Sequence, residues 1–312
     1  MQKNFCIAIV GPTASGKTLV AVELAKLLKT EIISADSRQV YKDIPIASAV
    51  PSLEERNNIK HYFIEEYDLN KDFNAGDYGK SGRVIIERLF KVNKIPIIAG
   101  GSGLYIKSLI DGFFENEAKD ESVRKELYEL LNKNGKEYLY NQLLKIDAET
   151  AKNITPEFYR RVIRALEVFY VTGKKISELK KENIKIDFET LQFGLLWERK
   201  VLYKRIEQRV DEMLKKGLVE EVQKLKNKGY HYSNCNALNT VGIKEVFQYF
   251  DGIFDLDTMV SLIKQNTRRY AKRQMTWFNK DKRIQWLEMY DESSFEPAII
   301  RIKNEIDNIT SF

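Results

Sequence analysis

The stretch Gly11, Pro12, Thr13, Ala14, Ser15, Gly16, Lys17, Thr18 constrains this chain more than any other. It is a complete GxxxxGK[ST] loop, preceded by the apolar run Phe5–Val10 and followed by an amphipathic run over 19–29. Strand, loop and helix in that order are what a phosphate-binding loop requires. The glycines let successive backbone N–H groups curl around a phosphate at the helix N-terminus. Lys17 adds a point charge, and the Thr18 hydroxyl is a candidate Mg²⁺ ligand. The loop leaves open which phosphate compound is held and whether a phosphoryl group is transferred.

The first hundred residues continue the alternation. Candidate strands cover 5–10, 31–34, 61–65 and 95–99, and candidate helices cover 17–29, 75–91 and 103–110. This pattern predicts a parallel sheet with helices on both faces. From about 114 to 189 the chain turns charged and helical, with helix starts marked by Asp120 before 121–131 and by Thr155-Pro156 before 157–171. A strand over 191–197 then returns. Helices follow at 200–215, 218–228, 242–250 and 257–279, with a short strand at 284–287 and a last helix at 298–308. The organisation predicted is a core in two parts, 1–113 and 190–312, interrupted by a helical insertion over 114–189.

Composition excludes several classes. With 312 residues, 43% hydrophobic and 31% charged, the chain can bury a large core. No apolar run approaches the roughly 18 residues that span a bilayer. The N-terminus runs straight into a strand without a signal-peptide pattern, and two distant cysteines, Cys6 and Cys235, fit a reducing compartment. A cytoplasmic protein is expected. Two histidines and two cysteines at unsuited spacings give no basis for a zinc site. The net charge of +6 is mild, but seven of the basic residues lie between Arg268 and Arg283, against one acid, Asp281.

Several constellations could carry chemistry. Asp36 follows the second strand, at the sheet edge where parallel sheets bind ligands. It is a candidate general base, a Mg²⁺ partner or a helix cap. The fourth strand ends in Gly100-Gly101-Ser102-Gly103, where an ATPase or GTPase would carry an acid for Mg²⁺. That substitution counts against ordinary nucleotide hydrolysis. The glycines read as a second backbone surface near a ligand or as a tight turn, with Ser102 offering a hydroxyl. Arg160 and Arg164 share a helix face beside Arg161, with Val162, Leu166 and Phe169 on a core face. Arg205 and Arg209, also four apart, either clamp a diphosphate or pair with Glu207 and Asp211. On the helix from 257, Arg268, Arg269, Lys272 and Arg273 fall within about 140° of one another. Tyr270, Ala271, Met275, Trp277 and Phe278 are expected to form a buried stripe opposite. The arginines are candidates for phosphate-backbone contact with nucleic acid.

With these residues in place, the chain resembles the tRNA dimethylallyltransferases, also called tRNA isopentenyltransferases. The matching stretches are GPTASGKT (11–18), ADSRQVY (35–41), AGGSGLY (99–105), RRVIRALEV (160–168), the glycine-led VEEV segment (217–222), VGIKE (241–245) and TRRYAKRQMTWF (267–278). They recur in order across most of the chain, and no zinc-finger spacing follows the last, as in bacterial members. The sequence departs from the family at Ser102 (usually Thr), Arg160 (usually Gln), Ile243-Lys244 (usually Tyr-Arg) and 47–51, where a lysine is lost. These departures bear on tRNA recognition more than on the chemistry.

The resemblance implies a P-loop NTPase-like α/β fold, with the insertion binding the tRNA anticodon stem-loop. It implies transfer of a dimethylallyl group from dimethylallyl diphosphate to N6 of an adenosine beside the anticodon, releasing diphosphate. Asp36 would be the general base and Ser102 would touch the diphosphate near the scissile bond. The loop residues, with Arg205 and Arg209, would bind diphosphate together with Mg²⁺ held by Thr18. Contacts to tRNA would come from Asp36, Ser37, Arg38 and Gln39, from Arg160, Arg161 and Arg164, and from Lys244, Arg268, Arg269, Lys272 and Arg273. A monomer suffices for this arrangement. The competing readings are a kinase with a helical lid and a nucleotide-driven RNA-binding protein. The first leaves the basic helix unexplained, and the glycines after strand four count against the second.

Overall fold

The computed structural model describes residues 4–112, 119–181 and 186–310. Strand β1 (Phe5–Val10) is buried along its whole length, as a parallel strand must be when helices cover both faces. It leads through the phosphate loop into α1 (Lys17–Leu27) and β2 (Ile32–Ala35). Then come α2 (Leu53–Arg56), β3 (His61–Tyr62), α3 (Ala75–Lys91), β4 (Ile97–Gly100) and α4 (Gly103–Ile110). A helical segment follows, with α5 (Glu121–Ile146), α6 (Ala148–Ala151), α7 (Tyr159–Thr172) and α8 (Ile176–Leu179). The chain returns through β5 (Glu189–Trp197), α9 (Arg199–Lys215), α10 (Leu218–Asn227), α11 (Ile243–Phe250), α12 (Leu256–Phe278), β6 (Ile284–Met289) and α13 (Phe295–Thr310). Among the described residues, no helix is long and apolar enough to cross a membrane.

The six strands pair in the order β3-β2-β4-β1-β5-β6, every pair parallel. All six carboxyl ends therefore meet at one edge. The phosphate loop leaves β1 there, Asp36 follows β2, Gly101 follows β4 and α9 follows β5. This edge is the ligand side of such a sheet. Its position depends on a core in which Ile7, Ile9 and Phe193 of the sheet pack with Leu24 of α1, Ile206 of α9 and Ile302 of α13. Helix α1 can begin where it does because Gly16 adopts φ 87, the left-handed region that glycine enters without penalty.

The chain divides into two compact units, Met1–Ile110 with Ile186–Phe312, and Asp111–Lys185. The expected boundary at 113/114 lies outside the described residues. In the second unit, Leu127, Leu139 and Leu143 of α5 pack with Val162, Ile163 and Leu166 of α7. The helix expected over 121–131 runs on to Ile146, broken only at Gly135, where φ 82 and ψ 174 leave the helical region. The strand expected over 61–65 shrinks to two residues, because Phe63 and Glu65 take positive φ (62 and 52) and turn the chain out of the sheet.

Among the described residues of this unit, the Glu167 carboxylate is the most deeply buried charged group. Glu167 receives hydrogen bonds from Arg124 at 2.8 Å and Arg164 at 2.9 Å. A buried carboxylate is tolerable only when paired in this way. Glu167→Ala should destabilise the unit by about 2–3 kcal/mol, below the full cost of breaking a buried pair because both arginines keep some access to water. Urea unfolding of the whole chain measures this, and Glu167→Gln, which can still accept a hydrogen bond, should lose less.

Candidate active site

The phosphate loop is held from outside. Its backbone at Ala14 has φ 61, which a side chain rarely adopts without support. The Ala14 carbonyl accepts from Arg205 Nε at 3.0 Å, the Ser15 carbonyl from Trp197 Nε1 at 2.9 Å, and the Thr13 N–H donates to Gln274 Oε1 at 2.8 Å. A side chain at Gly16 would strike the ring of Phe295. Arg205 itself lies over Trp197 and Phe295, 4.5 and 5.7 Å from the ring centroids, and reaches Glu292. Its guanidinium is therefore committed to the rear of the loop. Arg209, one turn further along α9, lines the cavity in front. Arg205 thus supports the loop and, with Arg209, borders a wider recess beside it, while Arg209 also lines the first cavity.

The turn after β2 is equally fixed. One carboxylate oxygen of Asp36 accepts the N–H groups of Arg38 at 2.8 Å and Gln39 at 3.3 Å. Asp36 thus caps its own turn through one oxygen while lining the cavity. Gln39 is occupied too. It accepts from the Ser34 hydroxyl and donates to the Ser48 and Ala49 carbonyls. The backbone N–H groups of Ile46 and Ala47 in turn reach the buried Glu221 at 2.8 and 2.9 Å. The Ser102 hydroxyl accepts from the Ser37 N–H at 3.0 Å and also hydrogen-bonds Tyr270. Ser102 therefore braces the Asp36 turn. At the end of β4 an acid has no room, because a Cβ at Gly100 would overlap the Ala35 carbonyl.

A cavity of about 480 Å³ opens between these elements, with Lys17, Thr18, Asp36, Arg209, Tyr270 and Arg273 in its wall. Ser37, Arg38 and Lys244 also face it. The wider recess, of about 1220 Å³, runs along the loop and the start of α1. Lys17, Thr18 and Arg209 border both. Lys17 Nζ folds back onto the Pro12 carbonyl at 2.6 Å. Loss of water around the Lys17 ammonium pulls its pKa down to about 7; neighbouring Arg209 adds to the effect and Asp36 opposes it. Burial lowers Arg209 as well, again with Asp36 opposing. Two cations short of water and one carboxylate thus face the same space. Among the described residues no three His, Cys, Asp or Glu side chains form a metal cage. The Thr18 hydroxyl and the Asp36 carboxylate are hard oxygen donors that suit Mg²⁺ when substrate phosphates complete its shell.

Helix α12 departs from its expected two-faced pattern. Arg269 and Lys272 are exposed, and Arg273 is exposed at the cavity rim. Arg268 is paired with Glu207 at 2.7 Å. On the opposite side Ala271 and Phe278 are buried, but Tyr270 faces the cavity and Trp277 is 40% exposed, lying against Gly103. The polar residue enclosed on that side is Gln274, which the apolar stripe concealed. In the helical unit Arg160 and Arg161 are exposed, near the rings of Tyr159 and Phe158. Arg164 is the residue paired with Glu167.

The fold and site define an α/β protein with a phosphate-loop motif, in which two cations and a carboxylate face one cavity and glycines end β4. A family profile described as IPP transferase matches residues 39–281. A tRNA dimethylallyltransferase of Natranaerobius thermophilus is 42% identical over 293 residues, 93% of this chain and 88% of that protein. One of Geobacillus thermodenitrificans is 41% identical over 298 residues, 95% and 94% of the two chains. Among solved structures, the full-length tRNA isopentenylpyrophosphate transferase of Bacillus halodurans is similar with a TM-score of 0.74 at 37% identity, covering 98% of this chain and 96% of that one. A eukaryotic dimethylallyltransferase acting on tRNA gives a TM-score of 0.84 at 30% identity, covering 98% and 80%. The chain belongs to the IPP transferase family.

The lowered Lys17 pKa has a measurable consequence. Near pH 7 the empty loop holds a lysine about half charged. A bound anion favours the charged form, so binding takes up a proton above that pH. Affinity for inorganic diphosphate should therefore fall as pH rises from about 7 to 9, by at most about tenfold per unit. Calorimetry in buffers of different ionisation enthalpy reads the proton uptake directly. Lys17→Arg, whose guanidinium stays charged, should flatten the profile. A flat profile in the unmodified protein would mean that Lys17 is charged throughout.

Proposed function

We propose that this protein transfers a dimethylallyl group from dimethylallyl diphosphate to N6 of an adenosine beside the anticodon of tRNA, releasing diphosphate. The observation that carries the reading is one cavity shared by Lys17, Arg209 and Asp36, close enough for their charges to act on one another, in a chain of this family. The diphosphate end of the donor lies on the loop N–H groups, Lys17 and Arg209. N6 attacks the allylic carbon, the bond from that carbon to the diphosphate oxygen breaks, and the electron pair leaves with diphosphate. Asp36 takes the proton from N6 through the oxygen that does not cap the turn. Arg209 and Lys17 neutralise charge that grows on the leaving group, where fixed charges act most strongly. Mg²⁺ held by Thr18 and the donor phosphates would supply further neutralisation. The adenine must leave its stack to reach the cavity. Arg269 and Lys272 bind tRNA phosphates, and the helical unit with Arg160 and Arg161 receives the anticodon stem-loop.

The direct test incubates protein, Mg²⁺ and bulk tRNA with donor labelled in the allyl carbon, in parallel with ATP labelled in the terminal phosphate. Allyl label should follow the tRNA and ATP label should stay in solution. Transfer of the ATP label to any acceptor would point to a kinase instead.

Two substitutions divide the site. Asp36→Asn keeps the turn's acceptor oxygen and removes the base, so turnover should drop about 10²–10⁴-fold while the protein stays folded. Near-normal turnover would leave Asp36 as a cap alone. Arg269→Ala with Lys272→Ala should weaken all substrate tRNAs alike and flatten the log–log salt dependence of binding by up to about 1.5 units. Filter binding across salt concentrations measures this, and an unchanged slope would move the tRNA contact elsewhere.

A further inference from the structure

Gln274 sits where no anion-binding role called for a side chain. It is 6% exposed, on the enclosed side of α12, and it joins two backbone segments that are both part of the cavity wall. Its Oε1 accepts the Thr13 N–H of the phosphate loop at 2.8 Å, and its Nε2 donates to the Gly101 carbonyl beyond β4 at 2.9 Å. The amide can sit only one way round, because one neighbour is a donor and the other an acceptor.

The consequence concerns which backbone donors the loop has to offer. Pro12 carries no N–H. The N–H of Thr13 is spent on Gln274. The donors left for an anion are those of Ala14 to Thr18, the curl at the N-terminus of α1. That curl fits a terminal phosphate. The cavity meets the loop at Thr13, Lys17 and Thr18, so a chain with one phosphate more that runs on into it passes Thr13, whose N–H is already taken. A charged oxygen set against groups that cannot pair with it loses affinity.

We propose that Gln274 is a specificity-determining residue: by occupying the Thr13 N–H it limits the loop to a diphosphate and disfavours a triphosphate. The inference rests on the reading of the donor as a diphosphate compound. Gly101 belongs to the same device. A Cβ at that position would meet the Gln274 amide nitrogen, so only glycine lets the bridge close.

The test compares binding of inorganic diphosphate and inorganic tripolyphosphate, each with Mg²⁺, by calorimetry on the full chain. The unmodified protein should bind diphosphate the more tightly. Gln274→Ala frees the Thr13 N–H, and one added hydrogen bond to a charged oxygen should shift the ratio toward tripolyphosphate about tenfold. Gly101→Ala should shift it in the same direction with Gln274 intact, because the added methyl displaces the far end of a flexible side chain. If either folded variant keeps the original ratio, the proposal falls. A measurement on the unmodified protein guards against variants that fail to fold. On titration with diphosphate, the amide resonances of Gly16 and Lys17 should move and that of Thr13 should stay. Movement of Thr13 comparable with theirs would overturn the proposal. If the binding preferences behave as expected but no allyl group reaches tRNA, the donor assignment fails and the account of the loop stands.

Discussion

Everything at the ligand edge depends on hydrogen bonds that hold the phosphate loop open from behind. A peptide segment that points consecutive N–H groups inward has its carbonyls facing outward, and buried carbonyls need donors. Here the donors are the Trp197 indole and the Arg205 guanidinium, 182 and 191 residues along the chain from their partners, and Gln274 bonds the loop from 261 residues away. The parallel sheet brings β5, α9 and α12 into reach of the loop. The loop's shape is thus a product of the whole first unit, although its motif is local.

The same packing concentrates charge that would otherwise be dispersed. Lys17 and Arg209 are short of water in the empty site, and Asp36 is fixed opposite them by two backbone N–H groups. Holding like charges together costs stability in the absence of ligand. It means that little reorganisation is needed when an anion arrives, which is where preorganised sites derive their effect. The cost is carried by the apolar core of Ile7, Ile9, Phe193 and their neighbours rather than by the site.

What could be read from the sequence divides along sequence separation. The loop, the strand–helix alternation and the helical nature of 121–172 depend on periodicity and caps within a few residues, and the sequence displays them. The roles of Ser102, Gln274 and Glu221 were hidden because each bonds a backbone segment far along the chain: Ser37, Thr13, and Ile46 with Ala47. The wheel of α12 correctly groups its basic residues, but it cannot say that Glu207 claims Arg268 or that the cavity claims Tyr270. A signal for Gln274 was present. A lone amide flanked at helical spacing by buried Ala271 and Phe278 needs two partners, and that need could have been posed as a question before the structure.

The close approach of β4 to β2 carries a final consequence. Because the Ala35 carbonyl occupies the space where a side chain at residue 100 would begin, no acid can be introduced there by one substitution. The register Ala35 opposite Gly100 would have to open first, taking the Asp36 turn with it. A chain with this sheet geometry cannot gain a side chain at residue 100 without first moving two strands apart. The glycine at the end of β4 is thus held by the spacing of two strands rather than by any contact with a ligand.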